Sequence, residues 1–290
     1  MHTYKNYVYL KFLFILFATL LICANVHSYT SSALAQSRMP FYRLTPQHLV
    51  LRSKFYTSFS ASTEERKTNI TVATRSLDKT LVPPNAEFSF NLSVGPRTEA
   101  RGYKTSKIIV GGQFIDGVGG GVCQVSTTLY NALLLAGLTI LEYHPHSLPV
   151  SYVAPSFDAM VSFGSADLKF VNNTKNPIVI HAYVYGATLF VEIYGEPMQE
   201  KYVRQSVITE ELPPPVSQEV FDDKLEYPNL YQGEKLVVKY GKAGLKSEGY
   251  LIVTKNGKPI RKTKLRTDTY KAIQGLTIIG TAPLPTEIII

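Results

Sequence analysis

The chain of 290 residues has no tryptophan and only two cysteines, Cys23 and Cys123. No Cys-x-x-Cys pair is present, and without one a zinc site held by Cys123, His144 and His146 lacks an evident fourth ligand. No basic helix appears, and no stretch interleaves basic with aromatic side chains, which sets nucleic acid aside as a partner. The most apolar stretch, Phe12 to Ala24 (FLFILFATLLICA), is thirteen apolar or small residues long. A bilayer span needs about 20.

That stretch follows Lys5 and Lys11, and Ala33-Leu34-Ala35 comes before Gln36. A basic start, a short apolar segment and an Ala-x-Ala site predict a secretory signal peptide over residues 1–35. An uncleaved leader would serve as an N-terminal membrane anchor. Cleavage removes Cys23, so the mature chain keeps one thiol and cannot form an internal disulfide. The formal charge is +8. Without the two leader lysines, 28 of the 30 basic residues remain against 22 acidic ones, about +6. That balance suits an anionic wall or membrane surface, and it serves solubility equally well. Hydrophobic residues at 45% indicate a globular chain, and 19 tyrosines lean towards strands.

Residues 36–200 read as one domain. Glu210-Glu211-Leu212-Pro213-Pro214-Pro215 suggests a Pro-rich linker over 201–219. Residues 220–282 form a second, small domain, and 283–290 a tail. The first domain is predicted to hold helices over 63–77 and 124–136. The first is capped by Ser62 or Thr63; in the second, Val125, Leu129, Ala132, Leu133 and Ala136 share a face, and Gly137 ends it. Strands are predicted at 87–92, 107–110, 139–143, 159–163, 168–171, 178–185 and 188–194, with a glycine-rich turn at 116–122. The class is α+β: helices with an antiparallel sheet, then an all-β domain with strands at 235–240, 249–255, 258–267 and 277–280. Asn256-Gly257 marks a hairpin in the second domain.

Cys123 sits where Gly119-Gly120-Gly121 enters a helix. The thiolate is the nucleophilic form of cysteine, and a helix N-terminus favours negative charge. Glycines permit positive φ and open the sulfur to substrate. His144 and His146 follow 21 and 23 positions later, at a distance a returning segment can span. Asp158, Asp167 or Asn173 could orient the imidazole. Backbone N–H groups of Gly121 to Gln124 are the expected oxyanion donors. Arg97 and Arg101 are suited to gripping a carboxylate or phosphate. Gly120, Gly121, Gln124 and Asn131 complete the candidate binding set. A lone cysteine also serves as a small buried hydrophobe, and each histidine alone as a structural residue.

Phe88-Ser89-Phe90-Asn91, Val94-Gly95-Pro96-Arg97-Thr98, Arg101-Gly102-Tyr103-Lys104, the run Gly119 to Ala132 (GGGVCQVSTTLYNA) and Asp167-Leu168-Lys169-Phe170 resemble signature blocks of the VanW family. The likeness covers roughly residues 41–200. Ser156 and Met160 depart from it, standing where Gly and Thr are expected. The second domain resembles the G-five (G5) domain, with Gly233, Gly244, Gly249, Gly257 and Gly280 as counterparts. The resemblance implies an exported bacterial envelope protein linked to glycopeptide resistance or wall maintenance. Peptidoglycan or another wall polymer is the implied partner, and no cofactor is expected. Two functions fit: a Cys–His thiol enzyme acting on peptidoglycan peptides by amide hydrolysis or transfer, or a non-catalytic wall-binding protein.

Overall fold

A computed structural model describes residues 49–284. The leader and residues 285–290 lie outside the described residues. Among the described residues strand predominates, at 45%, with 15% helix.

Two helices pack on an antiparallel sheet. Helix α1 (Glu64–Leu77) starts at Thr63, whose side chain accepts the Arg66 N–H, and Glu64 and Glu65 favour the positive end of its dipole. Helix α3 (Val122–Leu135) comes after the short α2 (Phe90–Val94). The sheet they cover has the order β1 (Val50–Ser58), β9 (Thr188–Gly195), β8 (Ile178–Tyr185), β2 (Thr80–Val82). Alternate residues of β8 and β9 point inward: Ile178, Ile180, Leu189, Val191 and Ile193 are fully buried. They meet Ile70, Ala73 and Leu77 of α1 and Val125, Leu129, Ala132 and Leu133 of α3 in one core. Gly137, at φ 71°, ends α3, and the Leu138 N–H returns to the Leu133 carbonyl.

Helix α3 is buried almost all round, polar residues included. Its polar side chains are satisfied, as burial requires. Thr128 meets Thr57 at 2.9 Å, and Gln124 donates to Thr57 and to the Ser58 carbonyl, which ties the helix to β1. The remaining sheets of this region are β3 (Glu87–Ser89), β7 (Lys169–Val171) and β6 (Thr139–Glu142) in the order β3-β7-β6, and the hairpin β4 (Thr105–Val110)–β5 (Gln113–Val118).

The C-terminal part is all β. The sheet β10 (Glu200–Leu212), β13 (Gly244–Lys255), β14 (Lys258–Tyr270) is antiparallel. The other, in the order β11 (Gln218–Phe221), β15 (Leu276–Ile279), β12 (Lys235–Lys239), has β11 parallel to β15.

Several expectations need correcting. The strand predicted over 87–92 stops at Ser89 and becomes α2, because the Ser89 hydroxyl accepts the Leu92 N–H and Asp167 accepts the Asn91 N–H. The glycine-rich turn predicted over 116–122 is confined to 119–121. Gly111-Gly112, both at positive φ, turn the hairpin that makes 113–118 a strand. The strand predicted over 159–163 joins no sheet: α3 side chains hold the backbone of Ala159 and Val161, the His144 carbonyl takes the Met160 N–H, and Ser162 makes an isolated bridge to Ala166. The linker predicted over 201–219 is largely β10, which pairs along its length with β13. Only 213–217 is irregular there. The alternation of β10 is masked by polar inward residues such as Arg204 and Ser206.

Candidate active site

Gly121, at φ 111°, begins α3, so Cys123 lies in its first turn. The two glycines before it are explained by contact. A Cβ on Gly120 would stand 2.5 Å from the Lys107 carbonyl, and one on Gly119 would stand 2.9 Å from Arg97 Cβ.

The segment 156–161 runs back along the start of α3. Ser126 donates to the Ala159 carbonyl at 2.6 Å, Thr127 accepts the Ala159 N–H at 2.9 Å, and Asn131 donates to the Phe157 carbonyl at 2.7 Å. The Val161 N–H reaches the Cys123 sulfur at 3.5 Å. The Met160 N–H binds the His144 carbonyl, which draws the histidine segment alongside. Asp158 Oδ2 then accepts both the His146 N–H at 2.6 Å and His146 Nδ1 at 2.7 Å. The Asp158 bond occupies Nδ1 and leaves Nε2 as the free ring nitrogen, while the Cys123 thiol donates to the Val161 carbonyl at 3.4 Å.

The electrostatics follow from this chain of contacts. Burial disfavours charge on His146, but the bonds to Asp158 and then Cys123 outweigh it and raise its pKa to about 9. Burial likewise pushes the Cys123 thiol up. His146 outweighs it, helped by the Val161 N–H and Arg97, so the pKa is lowered. Asp158 is held below the usual carboxylate range by His146 and Arg266 despite its burial. Both shifts favour the charged form of each group, thiolate and imidazolium, over the neutral one.

Residues 65–194 match the family described as VanW like protein, and residues 203–282 match the G5 domain. This is a VanW family protein with a C-terminal G5 domain. The chain is 41% identical over 152 residues to the uncharacterized protein YoaR of Bacillus subtilis, covering 52% of this chain and 50% of that protein. It is 32% identical over 124 residues to the vancomycin B-type resistance protein VanW of Enterococcus faecalis, covering 41% of this chain and 45% of that one. The chain thus spans about half the length of these curated relatives. Two solved structures, HP0197-G5 and the IgA1 protease G5 domain, are 22% and 24% identical. Each covers 29% of this chain, and the match takes in 100% and 90% of those chains at TM-scores of 0.16 and 0.19. A VanW domain joined to a G5 domain makes this a cell-wall-associated protein. Among the described residues, no helix is long and apolar enough to cross a membrane.

The VanW domain does not gather all the residues the sequence singles out. His144 pairs through Nε2 with Glu142 at 2.9 Å, near the surface, and does not join Cys123. Asp167 accepts from Ser89 Oγ and the N–H groups of Asn91 and Leu168, so it caps α2 and does not orient the imidazole. Asn173 accepts the Thr139 N–H. Arg101 donates to the Val94 carbonyl, which shapes the loop. Gln124 accepts from Arg66 and donates to β1, and Asn131 is buried between Phe157 and Arg204, so their amides are engaged inside the protein. Gly120 and Gly121 are packed against Lys107 and Arg66. Of the expected oxyanion donors, the Val122 and Gln124 N–H groups bind the Gly119 and Gly121 carbonyls. Among the described residues, no three His, Cys, Asp or Glu side chains are grouped to hold a metal.

Arg97 does reach the site. Its guanidinium lies 5.7 Å from the Phe90 ring centre and 5.9 Å from that of Phe163. Both terminal nitrogens are buried, with no partner among the described residues. Burial lowers its pKa, offset in part by Tyr103 and Cys123. Sequence reasoning missed Arg66, Tyr152, Arg266 and Tyr270. Arg66 and Tyr152 both lie near Cys123, and burial lowers the pKa of the first and raises that of the second. The signal for the other two is a polar alternation, Arg266-x-Asp268-x-Tyr270, which places three polar side chains on one buried strand face.

Proposed function

We propose that this protein is a thiol enzyme of the cell wall that cleaves or transfers an amide bond in peptidoglycan peptides. The observation that carries the reading is the buried His146–Asp158 pair, with 2.7 Å between Nδ1 and Oδ2, close enough to Cys123 in the first turn of α3 to lower its pKa. The Cys123 thiolate attacks the amide carbonyl, and the Cys123 N–H at the helix start faces the developing oxyanion. His146 passes its proton to the leaving amine as the C–N bond breaks, leaving a thioester. Water or a second amine then attacks the thioester and gives a proton to His146, and the thiolate departs. Asp158 keeps the imidazole in the required tautomer throughout. The wall context of both domains, and the resistance named for the Enterococcus faecalis relative, support peptidoglycan as the substrate class.

The test is alkylation of Cys123 across pH in the wild type and in His146→Ala, Asp158→Asn and His144→Ala. Wild-type labelling should stay fast well below the free-thiol pKa of about 8.5. Loss of His146 should move the midpoint up towards that value, Asp158→Asn should move it part of the way, and His144→Ala should change nothing. A wild-type midpoint near that of a free thiol would leave the wall-binding reading, with Cys123 as a packing residue.

Arg97 is assigned to a carboxylate of the substrate, because a buried guanidinium without a partner is satisfied by a bidentate acid. Arg97→Met should raise KM for an acidic peptide by about 10- to 100-fold, as for loss of a charge-assisted hydrogen bond, with a smaller change in kcat. An amidated substrate should not discriminate wild type from variant. Equal KM values for the acidic peptide would refute the assignment.

A further inference from the structure

The G5 domain docks its long hairpin against the His146–Asp158 pair. Asp158 Oδ2 is taken by His146, but Oδ1 is taken by the other domain: Tyr270 Oη donates to it at 2.6 Å and Arg266 Nη2 at 3.2 Å. Arg266 Nη1 also donates to the Asp158 carbonyl at 2.7 Å, and Arg266 Nε pairs with Asp268 at 2.5 Å. The side chains of Asp158, His146 and Arg266 are 1%, 4% and 2% exposed, so water contributes little to holding these charges.

The junction is built for this approach. The Ser156 N–H donates to Tyr270 Oη, and the Ser156 and Ser247 hydroxyls meet at 2.7 Å. The Lys271 N–H binds the Ser147 carbonyl at 2.8 Å. Gly249 on β13 leaves room for the Ser156 backbone, since a Cβ there would stand 2.8 Å from the Ser156 carbonyl oxygen. Ser156 takes φ 62°, a conformation that favours glycine, and its hydroxyl spans the junction.

We propose that the G5 domain completes the active site, with Arg266 and Tyr270 as positioning residues that hold Asp158 ionised and aimed at His146. A carboxylate accepting four directed bonds is fixed in orientation and stays charged. Removing the Oδ1 donors leaves part of a buried carboxylate unpaired, which weakens its support of the imidazolium and, through it, of the thiolate. The groups facing this chain are Arg266, Asp268 and Tyr270 of β14, Tyr130 of α3, Tyr143 and His146 beside Asp158, and Arg66, Arg97 and Tyr152 around Cys123.

This inference rests on the thiol-enzyme reading, and one experiment separates the two. The pH profile of Cys123 alkylation is measured on the full chain for wild type, Asp158→Asn, Tyr270→Phe, Arg266→Met and Arg266→Lys, alongside thermal melts. Tyr270→Phe removes one hydroxyl and keeps the ring, so it decides the matter if Arg266→Met does not fold. Tyr270→Phe and Arg266→Met should raise the thiol midpoint in the same direction as Asp158→Asn. Each pH unit of upward shift is about tenfold less thiolate at any pH below the midpoint, and Arg266→Lys should restore part of the loss. Wild-type profiles in folded Tyr270→Phe and Arg266→Met, with Asp158→Asn shifted, would overturn this inference alone. A wild-type midpoint already at the free-thiol value would overturn the thiol-enzyme reading, and this one with it.

Discussion

Cys123→Ala should abolish cleavage or transfer on peptidoglycan fragments, a loss on the order of 10³- to 10⁶-fold in kcat, because the nucleophile itself is gone. His146→Ala should cost about as much, and the double variant little more, since the two act as one unit. Asp158→Asn should cost less than either, on the order of 10²- to 10⁴-fold, because the imidazole stays in place with its tautomer and charge support impaired. The melting temperature of Cys123→Ala should fall only slightly, because the change removes one sulfur atom from a partly buried residue at the edge of the core. Activity that persists in a folded Cys123→Ala would assign the chemistry elsewhere. The pH dependence follows from the same groups. The ion pair lasts up to about pH 9, where His146 loses its proton, and fails on the acid side where Cys123, with its lowered pKa, takes one up.

Gly120→Ala should be the most damaging single methyl in the chain's glycine-rich turn. Gly120 has no positive φ, so the harm is steric: the new Cβ would lie 2.5 Å from the Lys107 carbonyl, a backbone atom that cannot swing away. Overpacking of this kind costs about 1–3 kcal/mol, and the strain falls between the β4–β5 hairpin and the helix start that presents Cys123. Gly164→Ala is the contrast. Gly164 has φ 85° and open space around it, so only the backbone conformation is penalised, at about 1 kcal/mol. Calorimetric melts of the two variants, with thiol labelling rates, would test the order. A Gly120→Ala protein as stable as Gly164→Ala, and labelling like wild type, would contradict it.

What could be read from the sequence was what local pattern writes down. The spacing of Ile70, Ala73 and Leu77, and of Val125, Leu129 and Leu133, announced α1 and α3 because core-facing residues must recur on one side of a helix. The thiol's place at a glycine turn entering a helix was equally local. The choice between His144 and His146 was not, since they stand two positions apart. It is made by Glu142, which takes one imidazole, and Asp158, which takes the other. Glu87 to Leu92 reads as strand because it alternates; the caps that turn its second half into helix come from Ser89 and from Asp167, 78 residues beyond Ser89. Strand β10 was hidden because polar residues occupy its inner face while Val203 and Ile208 face water: Arg204 lies over the Phe55 and Phe157 rings and donates to Asn131. Arg266 and Tyr270 carried only the weak signal of alternation, and their partner lies more than a hundred residues upstream.

The bonds from β14 to Asp158 also set an order of events in time. Domains fold as units during synthesis, the N-terminal one first. Cys123, His146 and Asp158 are therefore polymerised, and their domain can fold, before Arg266 and Tyr270 are available to it. Until the last hairpin is in place, the carboxylate lacks two of its four donors and the thiol beside it is closer to an ordinary one. If Cys123 is the proposed nucleophile, a nascent, truncated or proteolytically shortened chain would carry it without the two donors from β14, and the thiol would mature only when the polypeptide is whole.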